Sequence, residues 1–539
     1  MSVHPDGPGH GRRARSAVLA TLALALLGGL AWLAMLLRPV ALPGSIPERL
    51  QCVSYEPFHL PGESPLRHDA HISRAHIERD LALLARHFSC VRTYSVAQGL
   101  DRVPAIAAHY GMQVLLGVWI GPDARANARQ IAHAIAVARA APPGSIRAIV
   151  VGNEVLLRGD QPARVLLADL RTVHAATGLP VTYADVWRVW LRHPALARAV
   201  NFITVHMLPY WADRPVPVRA AIARVAQLTA RVQKAFPGKP VFIGETGWPS
   251  AGRARRDAVP SRVDEAAYLR GFVAWAQAHH LRYNLIEAFD QPWKRALEGT
   301  VGGSWGIYDS RARPKFAWSG PVTEDPRAWW ALLPLLLGAV IGAWRGGRAM
   351  RICGALAGAG SGLASWALLR MATAAAWDAA QWVWWGLLGA GLLCAAWLLL
   401  DALCAQLRNG HIAHPERLAR LSFAALFVVA YLDLLLVFDG RYRDWPLPAF
   451  IPIALGVALL RLLHGAPLLH GPRARSLALA ALLLGMAGVL QEALLNPYAW
   501  CWLAINALLA YSTLRRRADA AAAGGNNSNA PTSSANAPD

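Results

Sequence analysis

Ala148-Ile149-Val150-Val151-Gly152 is a short β-branched run that ends on Asn153 and Glu154, and Val241-Phe242-Ile243-Gly244 is another that ends on Glu245. Runs of this length, rich in Val and Ile and closed by Gly, read as buried strands. Working outward, six more fit the pattern: 52–55, 90–94, 113–119, 181–184, 202–206 and 283–289. Most gaps between them hold a stretch long enough for a helix, such as 75–87 and 264–279. Strands alternating with helices imply parallel pairing. Eight such units in about 280 residues predict an α/β fold, a (β/α)8 TIM barrel.

In such a barrel the chemistry sits at the C-terminal ends of the strands. In chain order those ends are Tyr55 and Glu56, Arg92 and Tyr94, Trp119, Asn153 and Glu154, Tyr183 and Asp185, His206, Glu245, and Glu287 with Phe289 and Asp290. Aromatic faces stack on sugar rings and polar groups fix hydroxyls, so this ring suits a carbohydrate. No Gly-rich phosphate loop is present. Glu154 and Glu245 belong to the fourth and seventh strands and face each other across the mouth. Two opposed carboxylates are the minimal machinery for cleaving a glycosidic bond. One is protonated to assist the leaving oxygen; the other is ionised to attack or to activate water. Asn153 is placed to bond a sugar hydroxyl beside the reacting carbon, and Tyr183 or His206 to hold Glu245 ionised. Taken singly, each signal is weak. A Glu after a strand is also a common helix N-terminal charge, Trp248 and Trp293 read as rim packing, and His206 reads as a core histidine. The pairing of the two glutamates is what favours chemistry.

The rest of the chain has another character. At 539 residues it exceeds one ordinary domain. It is 55% hydrophobic and 16% charged, against about 45–50% and about 25% in soluble chains. That excludes a disordered protein and points to membrane segments. Residues 1–15 read as a basic cytoplasmic N-terminus and 16–38 as a transmembrane anchor of about 20 apolar residues. The anchor reads as uncleaved, because its core is long and Arg38-Pro39-Val40 follows it. Residues 45–323 are the extracytoplasmic barrel domain. Residues 329–514 read as an all-α multi-span membrane domain of about seven helices, from apolar runs at 329–344, 352–369, 382–403, 421–438, 448–463, 476–494 and 499–514. The tail 515–539 reads as disordered and cytoplasmic.

The net charge is +21, and only four of the basic residues are Lys. No basic stripe or nucleic-acid motif is concentrated anywhere, so no nucleic-acid partner is expected. The Arg residues fill alternate loops: Arg345, Arg348 and Arg351; Arg408, Arg417 and Arg420; Arg473 and Arg475; then Arg515-Arg516-Arg517. These fall on the side of Arg12, Arg13 and Arg15. The positive-inside rule then places both termini in the cytoplasm and the barrel outside, with the lipid bilayer as a partner. Asp433 and Glu492 lie in apolar runs and read as interhelical hydrogen bonding, or as a polar path or docking site. Cys353, Cys394, Cys404 and Cys501 read as small apolar residues. Cys52 and Cys90 are open to a disulfide in an oxidising compartment. No Cys/His metal-ligand spacing appears.

Val151-Gly152-Asn153-Glu154 and Gly244-Glu245-Thr246-Gly247-Trp248-Pro249-Ser250 resemble the two signatures of glycoside hydrolase family 17, the β-1,3-glucanases and glucanosyltransferases. Val91-Arg92-Thr93-Tyr94, Ala288-Phe289-Asp290-Gln291-Pro292-Trp293-Lys294 and Gly303-Ser304-Trp305-Gly306-Ile307-Tyr308 look like its bacterial and fungal branch. The resemblance covers the barrel half. It implies an O-glycoside hydrolase of endo-1,3-β-glucanase type, or a glucanosyltransferase, acting on β-glucan polysaccharide or oligosaccharide by retaining double displacement. Glu154 is then the acid/base and Glu245 the nucleophile, with no metal and no cofactor. Glu154 is expected to have a raised pKa and Glu245 an ordinary one. The substrate-binding set taken from strand ends and motifs is Tyr55, Arg92, Tyr94, Asn153, Tyr183, His206, Trp248, Glu287, Phe289, Trp293 and Lys294.

Membrane-anchored bacterial relatives are associated with periplasmic β-(1,3;1,6)-glucans. The resemblance therefore implies a multi-pass protein of a bacterial inner membrane, its barrel facing the periplasm, beside a glucan synthase or exporter. The chain itself has no Q-x-x-R-W motif and no segment for a nucleotide-sugar domain, so processive synthesis by it is not expected. Two other readings stay open. One is a β-1,3/1,6-glucan remodelling transglycosylase working with a separate synthase. The other is a non-catalytic glucan-binding domain of a transport or export protein, against which the presence of both glutamates argues.

Overall fold

The computed structural model describes residues 8–514 except His68, with side chains from Arg12 onward. Arg515, Arg516, Arg517 and the tail lie outside the described residues. Eight strands form a closed barrel: β1 (Leu50–Ser54), β2 (Phe88–Arg92), β3 (Gln113–Val118), β4 (Ile146–Asn153), β5 (Val181–Val186), β6 (Ile203–His206), β7 (Val241–Thr246) and β8 (Arg282–Leu285). Each pairs in parallel with the next, and β1 closes on β8 with Cys52 opposite Asn284 and Val53 opposite Leu285. This is the (β/α)8 architecture that the spacing of the apolar runs predicts. The last strand is shorter than expected: the chain leaves the sheet at Leu285, before Glu287.

The helices ring the barrel because each carries one apolar stripe. Ala163–Thr177 buries Leu166, Leu170 and Val173, spaced four and three apart on one face. Burying each such side chain is worth about 1.5–3 kcal/mol. Helix starts are set locally: Ser73 caps Arg74–Leu84, and Asp123 caps Ala124–Ala140. Inside the barrel, Cys52, Cys90, Leu115, Ala148, Val150, Ala184 and Phe242 form a sealed apolar floor. A Cys52–Cys90 disulfide links β1 to β2 in that floor, where the two residues are register partners.

Two irregularities position the site. The register of β4 against β5 shifts between Val150 and Asn153. The register of β7 shifts against both neighbours between Ile243 and Thr246. A bulge breaks the alternation of side chains and re-aims the residue after it. Each of these bulges directly precedes one of the two glutamates.

Among the described residues, six helices outside the barrel are long and apolar enough to cross a membrane. One of them, Leu332–Ala375, reverses at Gly347, whose φ of 61° and ψ of −173° are not helical. Its halves pack as an antiparallel hairpin with Gly338 against Gly358 and Gly342 against Gly354. A Cβ at any of the four would overlap the facing backbone, so glycine is what allows this approach. The final helix, Pro497–Ala510, has 14 residues and is not among the six. Asp433 accepts hydrogen bonds from Trp502 Nε1 at 2.7 Å and Asn506 Nδ2 at 2.9 Å, which is the interhelical bonding expected of a buried polar group.

The helices and the barrel meet at one end of the bundle. Glu492 pairs with Arg253 at 2.7 Å, Asn496 Nδ2 donates to Ala254 O at 2.8 Å, and Thr300 bonds Asp444. Arg295 donates to Ala376 O, and Arg441 to Trp211 O. Glu492 is therefore a docking residue for the chain's own barrel, not part of a polar path. Arg253, Trp211 and Arg295 belong to the segments after β7, β6 and β8, so the mouth face of the barrel is the face that meets the bundle. At the opposite end, Arg15 donates to Leu407 O, Arg408 to Gly346 O, and Arg345 pairs with Asp401.

Candidate active site

Glu154 ends β4 in a left-handed conformation, φ 52° and ψ 28°. This is uncommon for a residue with a Cβ and is held only where the surroundings enforce it. Gly152, at φ 82°, makes the preceding turn. Glu154 N donates to Ala184 O at 2.8 Å. Leu156 N donates to the Tyr183 hydroxyl at 2.9 Å, and Leu157 N to Asp185 at 3.3 Å. Tyr183 and Asp185, themselves hydrogen-bonded, thus hold the turn from behind.

Glu245 lies across the mouth at 5% exposure. Tyr94 donates to its Oε1 at 2.7 Å, and Arg92 NH1 lies 3.1 Å from the same atom. A relay stands behind Tyr94: Asn284 Nδ2 donates to Ser54 Oγ at 2.8 Å, and Ser54 Oγ lies 2.8 Å from the Tyr94 hydroxyl. Arg92 also binds Gly244 O and Asn153 Oδ1, tying the bulge of β7 to the end of β4. His206 Nδ1 sits between the glutamates, 3.0 Å from Glu154 Oε1 and 3.4 Å from Glu245 Oε2. One donor atom from each of Glu154, His206 and Glu245 lies within 4.8 Å of the other two. Around this pair, Lys294 Nζ reaches Glu287 at 2.7 Å and Glu56 at 3.6 Å. Burial opposes the Lys294 charge, but the Glu287, Glu56 and Glu298 carboxylates outweigh it and hold its pKa above the ordinary range.

Several expectations need correction. Burial pushes the Glu154 carboxyl up, but the His206 hydrogen bond and the charges of His206, Arg158 and Arg92 outweigh it. Its pKa is lowered, not raised. Tyr183 does not hold Glu245; its hydroxyl is bonded to Asp185, and His206, Arg92 and Tyr94 take that role. Four members of the substrate-binding set are fully buried: Tyr55, Tyr183, Trp248 and Phe289. Tyr55 donates to Asp80 at 3.0 Å, Trp248 Nε1 to Val259 O at 3.0 Å, and Phe289 stacks on His59. None of these rings presents a face to a sugar. Arg92, at 1% exposure, and Glu287, also at 1%, position other groups. Tyr94, Asn153, His206, Trp293 and Lys294 stay at the mouth, although Asn153 Oδ1 is taken by Arg92.

The substrate-binding set omits Trp119, which is 41% exposed at the end of β3 with the Arg158 guanidinium over its ring. Its place at a strand end next to β4 is the signal that marks it. Ser54 and Asn284 carry no such signal, because their role depends on which way a strand residue faces.

Residues 52–306 match the BtgE/BtgC glycoside hydrolase domain. A glucan 1,3-beta-glucosidase of Arthroderma benhamiae is 27% identical over 268 residues, spanning 45% of this chain and 84% of that one. The glucan 1,3-beta-glucosidase BGL2 of Candida albicans is 26% identical over 264 residues, spanning 44% of this chain and 85% of that one. The solved structure of an active-site mutant of Rhizomucor miehei beta-1,3-glucanosyltransferase with laminaritriose is similar at a TM-score of 0.45 and 23% identity, over 51% of this chain and 98% of that one. The barrel half of this chain is thus similar to a glycoside hydrolase domain and to curated glucan 1,3-beta-glucosidases, in line with the family that its two glutamate motifs resemble.

Proposed function

We propose that the chain is a membrane-anchored β-1,3-glucan glycosidase or glucanosyltransferase that works by retention, with Glu245 as nucleophile and Glu154 as acid/base. The observation that carries this is the approach of the two carboxylates, with oxygens within 4.8 Å of each other. Retaining enzymes hold the pair at about 5–5.5 Å, whereas inverting enzymes need about 6.5–9.5 Å to admit a water. The electrostatics support the division of labour. Glu245 is buried and gripped by Arg92 and Tyr94, as suits an ionised nucleophile. Glu154 is the more exposed partner, its side chain a quarter accessible, and can take up and release a proton with each step. Attack of Glu245 on the anomeric carbon, with a proton from Glu154 to the leaving oxygen, gives a glycosyl-enzyme. Glu154 then removes a proton from water or from a sugar hydroxyl, and either one resolves it. Trp119, exposed beside β4, supplies a stacking face for a glucose ring.

The same proposal places the barrel in the periplasm of a bacterium, anchored in the inner membrane. The Cys52–Cys90 disulfide suits an oxidising compartment, and the Arg-rich loops gather at the end of the bundle away from the barrel. The test is to incubate the full chain in detergent with an end-labelled β-1,3-glucan oligosaccharide and follow the products by mass and linkage. Wild type should convert it, and Glu245→Gln should be slower by at least ~10³-fold. Products longer than the substrate would make the chain a transferase; only shorter ones, a hydrolase. Equal behaviour of wild type and variant, with the sugar merely retained, would overturn the enzymatic reading.

A further inference from the structure

A second cluster of titratable groups lies outside the mouth, and the chemistry above does not use it. His59 follows β1 in its loop. His76 and Asp80 are four residues apart on the Arg74–Leu84 helix, so they project from one face. The three are 2%, 6% and 4% exposed. Their atoms converge: His59 Nε2 is 3.2 Å from His76 Nε2 and 3.2 Å from Asp80 Oδ2, and His76 Nε2 is 3.4 Å from the same oxygen.

The outer contacts settle where the ring proton of His59 sits. Its Nδ1 lies 2.8 Å from Ser310 O. A carbonyl only accepts, so Nδ1 carries the hydrogen and Nε2 turns a lone pair inward. His76 Nδ1 faces the Glu63 carboxylate at 3.6 Å, an ion-pair contact too long for a hydrogen bond, so this ring can carry its proton on either nitrogen. With its proton on Nδ1, His76 turns a second lone pair toward that of His59 and the Asp80 oxygen in a buried space. In that state they repel unless a cation lies between them, and burial makes the repulsion costly; the metal-free alternative is a ring proton shared within the cluster.

We propose that His59, His76 and Asp80 bind a zinc ion that pins the β1 loop to the Arg74–Leu84 helix. Tetrahedral zinc, with bonds of about 2.0–2.1 Å, spaces its ligands about 3.3–3.4 Å apart, close to the three distances here. A carbonyl and a carboxylate on the far ring nitrogens are the usual partners of zinc-bound histidine. The three ligands are buried and lie outside the glutamate pair, so the metal would serve structure, with a water as its fourth ligand. It braces the mouth indirectly. Phe289 stacks on His59 at 4.3 Å and Tyr55 bonds Asp80, while Glu56, next to Tyr55, accepts from Gln291 and faces Lys294. Sequence spacing does not reveal the site, because 17 positions separate His59 from His76.

The test uses the full chain in detergent, purified without a histidine tag and stripped with a chelator. Zn²⁺ titration should show one tight equivalent, and the melting temperature should rise by a few degrees or more with metal. Co²⁺ in its place should give the visible spectrum of a tetrahedral nitrogen–oxygen site with no thiolate charge-transfer band. His59→Gln and His76→Gln should each weaken binding at least ~100-fold, whereas Glu245→Gln should bind as wild type does. The wild-type titration alone is decisive if the histidine variants do not fold. No bound metal and no thermal response would mean that the cluster holds a shared proton, and would overturn the proposal. A thiolate band, binding that survives both histidine changes, or binding lost in Glu245→Gln would place the metal elsewhere and overturn it too.

Discussion

His206 is the residue through which the two glutamates sense each other. Its Nδ1 lies near both carboxylates, and it is the leading influence pulling Glu154 below the ordinary range against burial. In the proposed mechanism Glu154 must carry its proton when substrate arrives, so this contact would limit activity on the alkaline side. The sign follows from the causes. In His206→Phe the hydrogen bond and the charge interaction are lost, while the burial that raises the pKa remains, opposed only by Arg158 and Arg92. Glu154 then holds its proton to higher pH. The alkaline limb of kcat/KM should move to higher pH in this variant, whatever happens to the absolute rate. A limb that stays in place or moves down would show that His206 does not control the acid.

At the scale of elements, the bulge in β7 decides whether Glu245 reaches the mouth. Gly244 is the pivot, because a Cβ there would overlap Thr204 Cγ2 and crowd the His206 ring. Gly244→Ala should cost about 1–3 kcal/mol, as overpacking does, and should lower kcat by up to ~10²-fold through misplacement of Glu245, the proposed nucleophile. Thr204→Ser removes the offending methyl and keeps the hydroxyl that bonds Thr182. The double variant should therefore recover both melting temperature and kcat; failure to recover would mean that the bulge is not what aims Glu245. This element also shows what a sequence reader can and cannot see. The eight strands are legible because each is a β-branched run between helix-length gaps, and the glutamates are legible because each closes such a run. The bulges are not, since one extra residue leaves the apolar pattern unchanged. That is why Tyr55, Tyr183, Trp248 and Phe289 read as sugar platforms although they are buried. A strand end tells that a residue is near the mouth, but its facing depends on register with both neighbours. His59, His76 and Asp80 escape for a related reason: their meeting is made by a loop, not by a period.

For the whole molecule, the contact between barrel and helices determines how the mouth is presented. The segments after β6, β7 and β8 touch the bundle, so the mouth opens beside the helices and a substrate must enter or leave along that side. The Arg253–Glu492 pair is central to that contact, with side chains 4% and 10% exposed. Arg253 also packs over the Trp445 ring and donates to Arg443 O. Removing one partner of a buried pair leaves the other charge without compensation, which costs about 3–5 kcal/mol. Glu492→Gln keeps the shape and removes the charge, so the penalty should fall on the docking of the β7 loop rather than on the barrel core. That loop carries Arg253, Arg255 and Arg256 in its wall against the helices. In the native chain they are buried or half-buried, and trypsin should spare them. In Glu492→Gln, limited trypsin treatment should cut at this cluster, while the melting transition of the barrel changes little. Arg253→Met should open the same site, with cleavage then confined to Arg255 and Arg256. Unchanged protection in both variants would mean that barrel and bundle are held together by other contacts, and the ion pair would lose its role in aiming the mouth.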